Sequence, residues 1–170
     1  AGHFLLEAKN RGFAVPGFLL DSWLEFQKSA ANSWTYGNDQ SAQIQAYRLY
    51  LLALAKEPDL GAMNRLAESR NLVEQAAWRL SMAYSLSGRS REANNLVRNL
   101  SINIAPYLEM SGSYGSDLRD KGMILEALVL LNDMSKASRI ANEISRELTS
   151  NRSFGTQTTA YALLGMFKFG

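Results

Sequence analysis

Asp117 and Asp120 are the two side chains of this 170-residue chain whose types and spacing come nearest to chemistry. Carboxylates three apart, here around Leu118 and Arg119, can hold a divalent cation or share acid and base roles. The same spacing has a structural reading. Both open an apolar helix, where acidic side chains accept from free N–H groups and complement the dipole, so capping and pairing with Arg119 is the expectation. Gly112 to Lys121 offers the glycines and lysine of a phosphate loop but lacks its preceding strand and its glycine spacing, and it reads as a turn. His3 is the sole histidine, so any imidazole metal pair or serine-histidine-acid triad would rest on it alone. The absence of cysteine removes disulfides, thiolate metal sites and cysteine nucleophiles. No catalytic, cofactor-binding or metal-binding residue is expected, and Asp117→Asn, Asp120→Asn and His3→Ala are expected to abolish no activity.

A second class of candidates is aromatic. Trp23, Trp78, Tyr47, Tyr50, Tyr84 and Tyr161 fall at helical spacing in apolar runs and read as core rather than as a ligand platform. Trp34 and Tyr36 sit instead in the polar turn before Asp39, and these two are the expected exposed contact. Nucleic acid is not implied. The formal charge is +2, and Arg70, Arg79, Arg91 and Arg98 are interleaved with Glu68, Glu74 and Glu92 rather than gathered into a stripe. No apolar run approaches the roughly 18 residues of a membrane span, and the first residues lack the layout of a signal peptide.

The elements that must position these residues are helical. The composition is 46% hydrophobic, with three prolines and almost no alternating pattern, which favours an all-α chain with a real core. The centre is Ser116 to Leu148. Met123, Ile124, Leu125, Leu128, Val129, Leu130 and Leu131 leave no face for water, so a helix from Ser116 to Leu131 should be the most buried element, with Glu126 its one buried charge. Asn132-Asp133 breaks it. The next helix carries Ala137, Ile140, Ala141, Ile144 and Leu148 on one side and Lys136, Arg139, Asn142 and Arg146 on the other, as an outer helix does.

The same inner and outer pairing recurs. Phe4 to Ala8 reads as the end of a truncated inner helix stopped by Gly12, and Pro16 opens a cover with Phe18, Leu19, Leu20, Trp23, Leu24 and Phe26 on its apolar face. Asp39 or Ser41 is the expected cap of a second inner helix reaching about Lys56, covered by Leu60 to Ala67. Asn71 is the expected cap of a third, from Leu72 to Leu86, which Gly88 ends and Arg91 to Leu100 covers. Ser101 to Gly115 reads as a long loop with a small hairpin turning at Ser111-Gly112-Ser113, and Thr149 to Gly155 as a linker before an apolar helix through Phe167. The recurrence from Tyr47 to Trp78, Met123 and Tyr161 is irregular, unlike the fixed period of about 34 residues in tetratricopeptide arrays. Inner helices apolar on every side suit a closed ring of hairpins, an α/α toroid. Chain length fits one domain, here a partial ring within a larger one.

Several segments carry a resemblance: Phe4-Leu5-Leu6-Glu7-Ala8 with Gly12-Phe13-Ala14-Val15-Pro16, Ala46-Tyr47-Arg48-Leu49-Tyr50 with Leu54-Ala55-Lys56, Tyr114-Gly115-Ser116 with Arg119-Asp120, and Gly155-Thr156-Gln157-Thr158-Thr159-Ala160. In this order they resemble the thioester-containing domain of the α2-macroglobulin and complement superfamily, in particular its bacterial branch. The resemblance implies an α/α toroid and gives Tyr114, Gly115, Ser116, Arg119 and Asp120 a structural role. The cysteine and glutamine that form the family's thioester lie upstream of the matching segments, so the chain corresponds to the C-terminal part of that domain without its reactive motif. Implied with it are an interaction module of a bacterial endopeptidase inhibitor that traps proteases, no enzymatic activity, no cofactor, neighbouring domains and a target protease as partners, and export to the periplasm or cell envelope. Uncovered first and last helices would either curl together into a smaller closed ring or be covered by a second copy, and the expectation is that two copies pair through the Phe4 to Ala8 or the Ala160 to Phe167 face. The alternative is a tetratricopeptide-like peptide-binding module, on Ala77, Leu80, Tyr84, Gly88, Ala93 and Val97, which match one such repeat.

Overall fold

The computed structural model describes residues 2–70, 72–110 and 115–170. The proposed cap Asn71, the turn at Ser111 to Ser113, and Tyr114 lie outside the described residues. Those that are described form an all-α chain: α1 (Gly2–Asn10), α2 (Gly17–Ser33), α3 (Asp39–Leu54), α4 (Leu60–Ala67), α5 (Glu74–Leu86), α6 (Ser90–Val97), α7 (Asp117–Leu130), α8 (Met134–Leu148) and α9 (Thr156–Phe169). They gather into two compact units, Ala1–Leu96 and Val97–Gly170.

In the first unit α3 packs chiefly on α5, with α2 and α4 as its further neighbours. The inner and outer logic holds here. Leu49, Tyr50 and Leu52 of α3 and Leu80 and Met82 of α5 are inaccessible, and the short α4 sets Ala62, Met63 and Leu66 against them. Asn38, rather than Asp39 or Ser41, caps α3. Its side chain accepts from the Ser41 N–H at 2.8 Å while the Ser41 hydroxyl accepts from the Asn38 N–H at 3.2 Å, a reciprocal box that satisfies two free donors. The third inner helix begins at Glu74, after Val73, which supplies no side-chain cap. Gly12 and Gly88 stop their helices with φ of +82° and +73°, backbone that a side chain would strain.

The broad apolar face of α2 is only half used. Leu20, Leu24 and Ala31 are buried, but Phe18 and Phe26 are 76% and 64% exposed and Leu19 faces solvent with them. Phe4 and Phe13 are exposed as well. A two-sided apolar helix therefore takes the place of the one-sided cover that the sequence suggested.

In the second unit α7 is the centre, packed on α9 and α8. Every residue from Gly122 to Leu128 is buried, with Leu125 and Leu128 essentially inaccessible. Glu126 is not the one buried charge of α7, because Asp117, Asp120 and Lys121 are buried beside it. Asp120 and Lys121 find partners in neighbouring segments, Tyr107 for the first and Glu143 and Glu147 of α8 for the second. Asn132 breaks the run with φ of +59°, and Asp133 caps α8 by accepting from the Lys136 N–H. Ala137, Ile140, Ala141 and Ile144 form the buried stripe of α8, with Leu148 at its edge. Among the described residues between 101 and 116, Leu108 and Ser116 form an antiparallel bridge, fastened by the Glu109 N–H donating to the Gly115 carbonyl at 2.8 Å.

Candidate functional site

Two of the segments that carry the resemblance, around Ser116 and Thr158, meet at the start of α7. Ser116 is its N-cap and accepts from the Arg119 N–H, while its hydroxyl lies 2.9 Å from the Thr158 hydroxyl on α9, both buried. Two sequence segments 42 residues apart are thus joined by one enclosed hydrogen bond. The carboxylate of Asp120 is engaged on both oxygens: Tyr107 donates its hydroxyl to Oδ2 at 2.6 Å, and the Arg119 guanidinium donates to Oδ1 at 3.1 Å. Burial, then the bond to Asp120, pushes the Tyr107 phenol well above its usual range, so it stays a donor and ties the 101–116 loop to α7. Asp117, Asp120 and the first turn of α7 therefore complement the helix dipole as expected, but the cap itself is Ser116.

Lys121 continues the arrangement toward α8. Its ammonium donates to Glu147 at 2.5 Å and lies 3.6 Å from Glu143. Burial works against the charge, but the bond to Glu147 and the charges of Glu147, Glu143 and Asp117 outweigh it and raise the pKa above the ordinary 10.5. A raised lysine pKa contributes stability that is fully present below the unfolded value and is lost as pH rises through the folded value. Stability should therefore decline above about pH 10.5, and Lys121→Met should flatten that decline. Urea melts of the two proteins across this range check it, and parallel alkaline losses would contradict it.

What the cluster can do chemically follows from its saturation. Asp120 is held by a phenol and a guanidinium, Ser116 by Thr158, and Lys121 by two glutamates. Both oxygens of Asp120 already accept hydrogen bonds, one from Tyr107 and the other from Arg119. Among the described residues no three His, Asp or Glu side chains gather as a metal site. Beneath the cluster α7 and α9 meet backbone to backbone. A Cβ on Gly122 would stand 2.5 Å from the Tyr161 carbonyl oxygen, and one on Gly165 would stand 2.5 Å from that of Gly122.

The other candidates are dispersed. Tyr36 is exposed, its hydroxyl donating to Asp39 at 2.8 Å, a bond that raises the phenol pKa. Trp34 is only half-exposed, because its ring meets Tyr36 edge-on and its Nε1 is covered, so the exposed pair reduces to Tyr36. His3 on α1 lies 2.9 Å from the Tyr47 hydroxyl and edge-on to Tyr50. Sequence reasoning missed Arg79, naming it only as one of the arginines interleaved with glutamates. It is buried on α5, its guanidinium 4.9 Å from the centre of the Tyr47 ring and 5.4 Å from that of Tyr50, a cation held on aromatic faces. The i, i+3 tyrosines on the facing inner helix were the available sign.

No protein-family model and no curated protein matches the sequence. Among solved structures, the chain is similar to native α2-macroglobulin from Escherichia coli in the crystal structure spanning domain MG7 to the C-terminus, with a TM-score of 0.78 and 19% identity over 98% of this chain. The fold is that of a segment of a bacterial α2-macroglobulin. The chain covers 28% of the α2-macroglobulin structure that it matches. At that identity the fold is shared while most side chains differ. No helix among the described residues is long and apolar enough to cross a membrane.

Proposed function

We propose that this chain is a structural and interaction module of a bacterial α2-macroglobulin-like endopeptidase inhibitor, the C-terminal part of a thioester-type α/α toroid without the thioester motif. The observation that carries the reading is the fold match across nearly the whole chain. Two features support it. The segments resembling the family at Gly115 to Asp120 and Gly155 to Ala160 are the ones the Ser116 and Thr158 hydroxyls join. The absence of cysteine and the engagement of the Asp120 carboxylate by Tyr107 and Arg119 suit a part that does no chemistry of its own. In this reading its partners are neighbouring domains of the parent polypeptide and, through them, a trapped protease, in the periplasm or cell envelope.

The test uses the parent polypeptide. Incubated with a trypsin-class endopeptidase, it should be cleaved and should carry the enzyme into a larger species on a native gel, with activity on a small chromogenic peptide retained and activity on a protein substrate suppressed. Cleavage with no associated enzyme and unchanged digestion of the protein substrate would overturn the proposal.

A further inference from the structure

A cleft between α4, α5 and α6 is used by nothing described so far. It is lined by Leu60 and Asn64 from α4, Tyr84 from α5, and Arg89 and Glu92 at the start of α6, and encloses about 180 Å³. Small-molecule pockets begin at roughly 300 Å³, so this cleft has room for one extended side chain and not for a cofactor. Its polar groups are unevenly matched. The Tyr84 hydroxyl donates its proton to Asn64 Oδ1 at 2.6 Å, which leaves lone pairs on both oxygens and no donor between them. Glu92 is half-buried and makes no ion pair among the described residues. The first turn of α6 accommodates this carboxylate through the helix dipole, and an arriving cation would pair it further.

Three acceptors facing one narrow space match the three N–H donors of an ammonium group. Leu60 and the buried ring of Tyr84 supply apolar walls for a methylene stem, and the ring face favours a cation. We propose that this cleft seats the side chain of a lysine from a protein segment, with Glu92, Tyr84 and Asn64 as the acceptors of its ammonium group. The local field agrees in sign: burial raises the Tyr84 phenol, and Glu92 and Glu68 raise it further. Arg89 and the amide N–H groups of Asn64 are the lining donors that favour an anion, but Arg89 is exposed and solvated, whereas Glu92 is set deeper. The inference stands apart from the inhibitor reading, since it rests on the first unit alone and its test needs no protease.

The experiment is a titration of the isotope-labelled chain with Nα-acetyl-lysine-N′-methylamide, followed by amide shifts. Saturable shifts at Leu60, Asn64, Tyr84 and Glu92 in the millimolar range are expected, with the capped norleucine analogue, which lacks the ammonium, at least about tenfold weaker. Glu92→Gln should weaken the capped lysine about tenfold, and Tyr84→Phe should weaken it by a smaller factor with the fold retained. Equal binding of the norleucine analogue, tighter binding of capped glutamate, or no saturation below about 50 mM would overturn the proposal. Cadaverine binding about tenfold tighter than capped lysine would assign the site to a free diamine and equally overturn the protein source.

Discussion

Gly165→Ala is expected to lower the unfolding free energy by about 2 to 4 kcal/mol, although alanine is the better helix former by about 1 kcal/mol. The reason is the crossing of α7 and α9. A Cβ at Gly165 would stand 2.5 Å from the Gly122 carbonyl oxygen and 3.1 Å from its carbonyl carbon and Cα. All three are backbone atoms of a buried helix, so no rotamer change makes room and the helices must part. Parting them loosens the Ser116 to Thr158 bond and the contacts of the buried Ala162 with α7. Gly122→Ala meets the same obstacle from the other side, at 2.5 Å from the Tyr161 oxygen and 3.0 Å from the Ala162 Cα. Urea melts read the loss. Leu163→Ala, on the exposed side of the same helix, is the control and should stay within about 0.5 kcal/mol. A Gly165→Ala protein as stable as the parent would mean that the two helices do not cross this closely.

Leu128→Ala should cost about 2 to 5 kcal/mol. Leu128 is 1% exposed on the last turn of α7, in a helix that α8 and α9 both pack against. Truncation removes buried methyl groups and leaves a cavity, since the flanking backbone is fixed by the α7 to α9 crossing on one side and by the Asn132 turn on the other. The size of the loss depends on how far the site collapses, and a site pinned at both ends collapses little. A loss below about 0.5 kcal/mol would place the helix on the surface.

Much of this organisation was legible in the sequence because it is local. The all-round apolar run from Gly122 to Leu131 announced a buried helix, the one-sided stripe of α8 announced its cover, and Gly12, Gly88 and Asn132 marked stops that the backbone adopts. What escaped is what depends on residues far apart in the chain. The Gly122 and Gly165 pair, the bond between Ser116 and Thr158, and the bridges from Lys121 to Glu143 and Glu147 have no local pattern, so three buried charges in the first turns of α7 went unforeseen as buried. Arg79 stood out only as one of the arginines interleaved with glutamates, because its partners Tyr47 and Tyr50 lie on another helix. Trp34 was taken for an exposed contact on the polarity of its surroundings, which says nothing about the Tyr36 ring that covers it edge-on. The apolar side of α2 was legible as apolar, but pattern alone does not distinguish Leu20 and Leu24, which are buried, from Phe18 and Phe26, which are not.

α7 is the buried centre of its unit, and the residues at its start fasten Tyr107, α8 and α9 to it. Amide hydrogen exchange reads this directly, because buried central elements open only with the whole unit whereas exposed ones open locally. The amides from Met123 to Leu128 should be the slowest of the second unit, with an opening free energy equal to that of its unfolding in urea. Exchange at these amides as fast as in the 149–155 linker would contradict it.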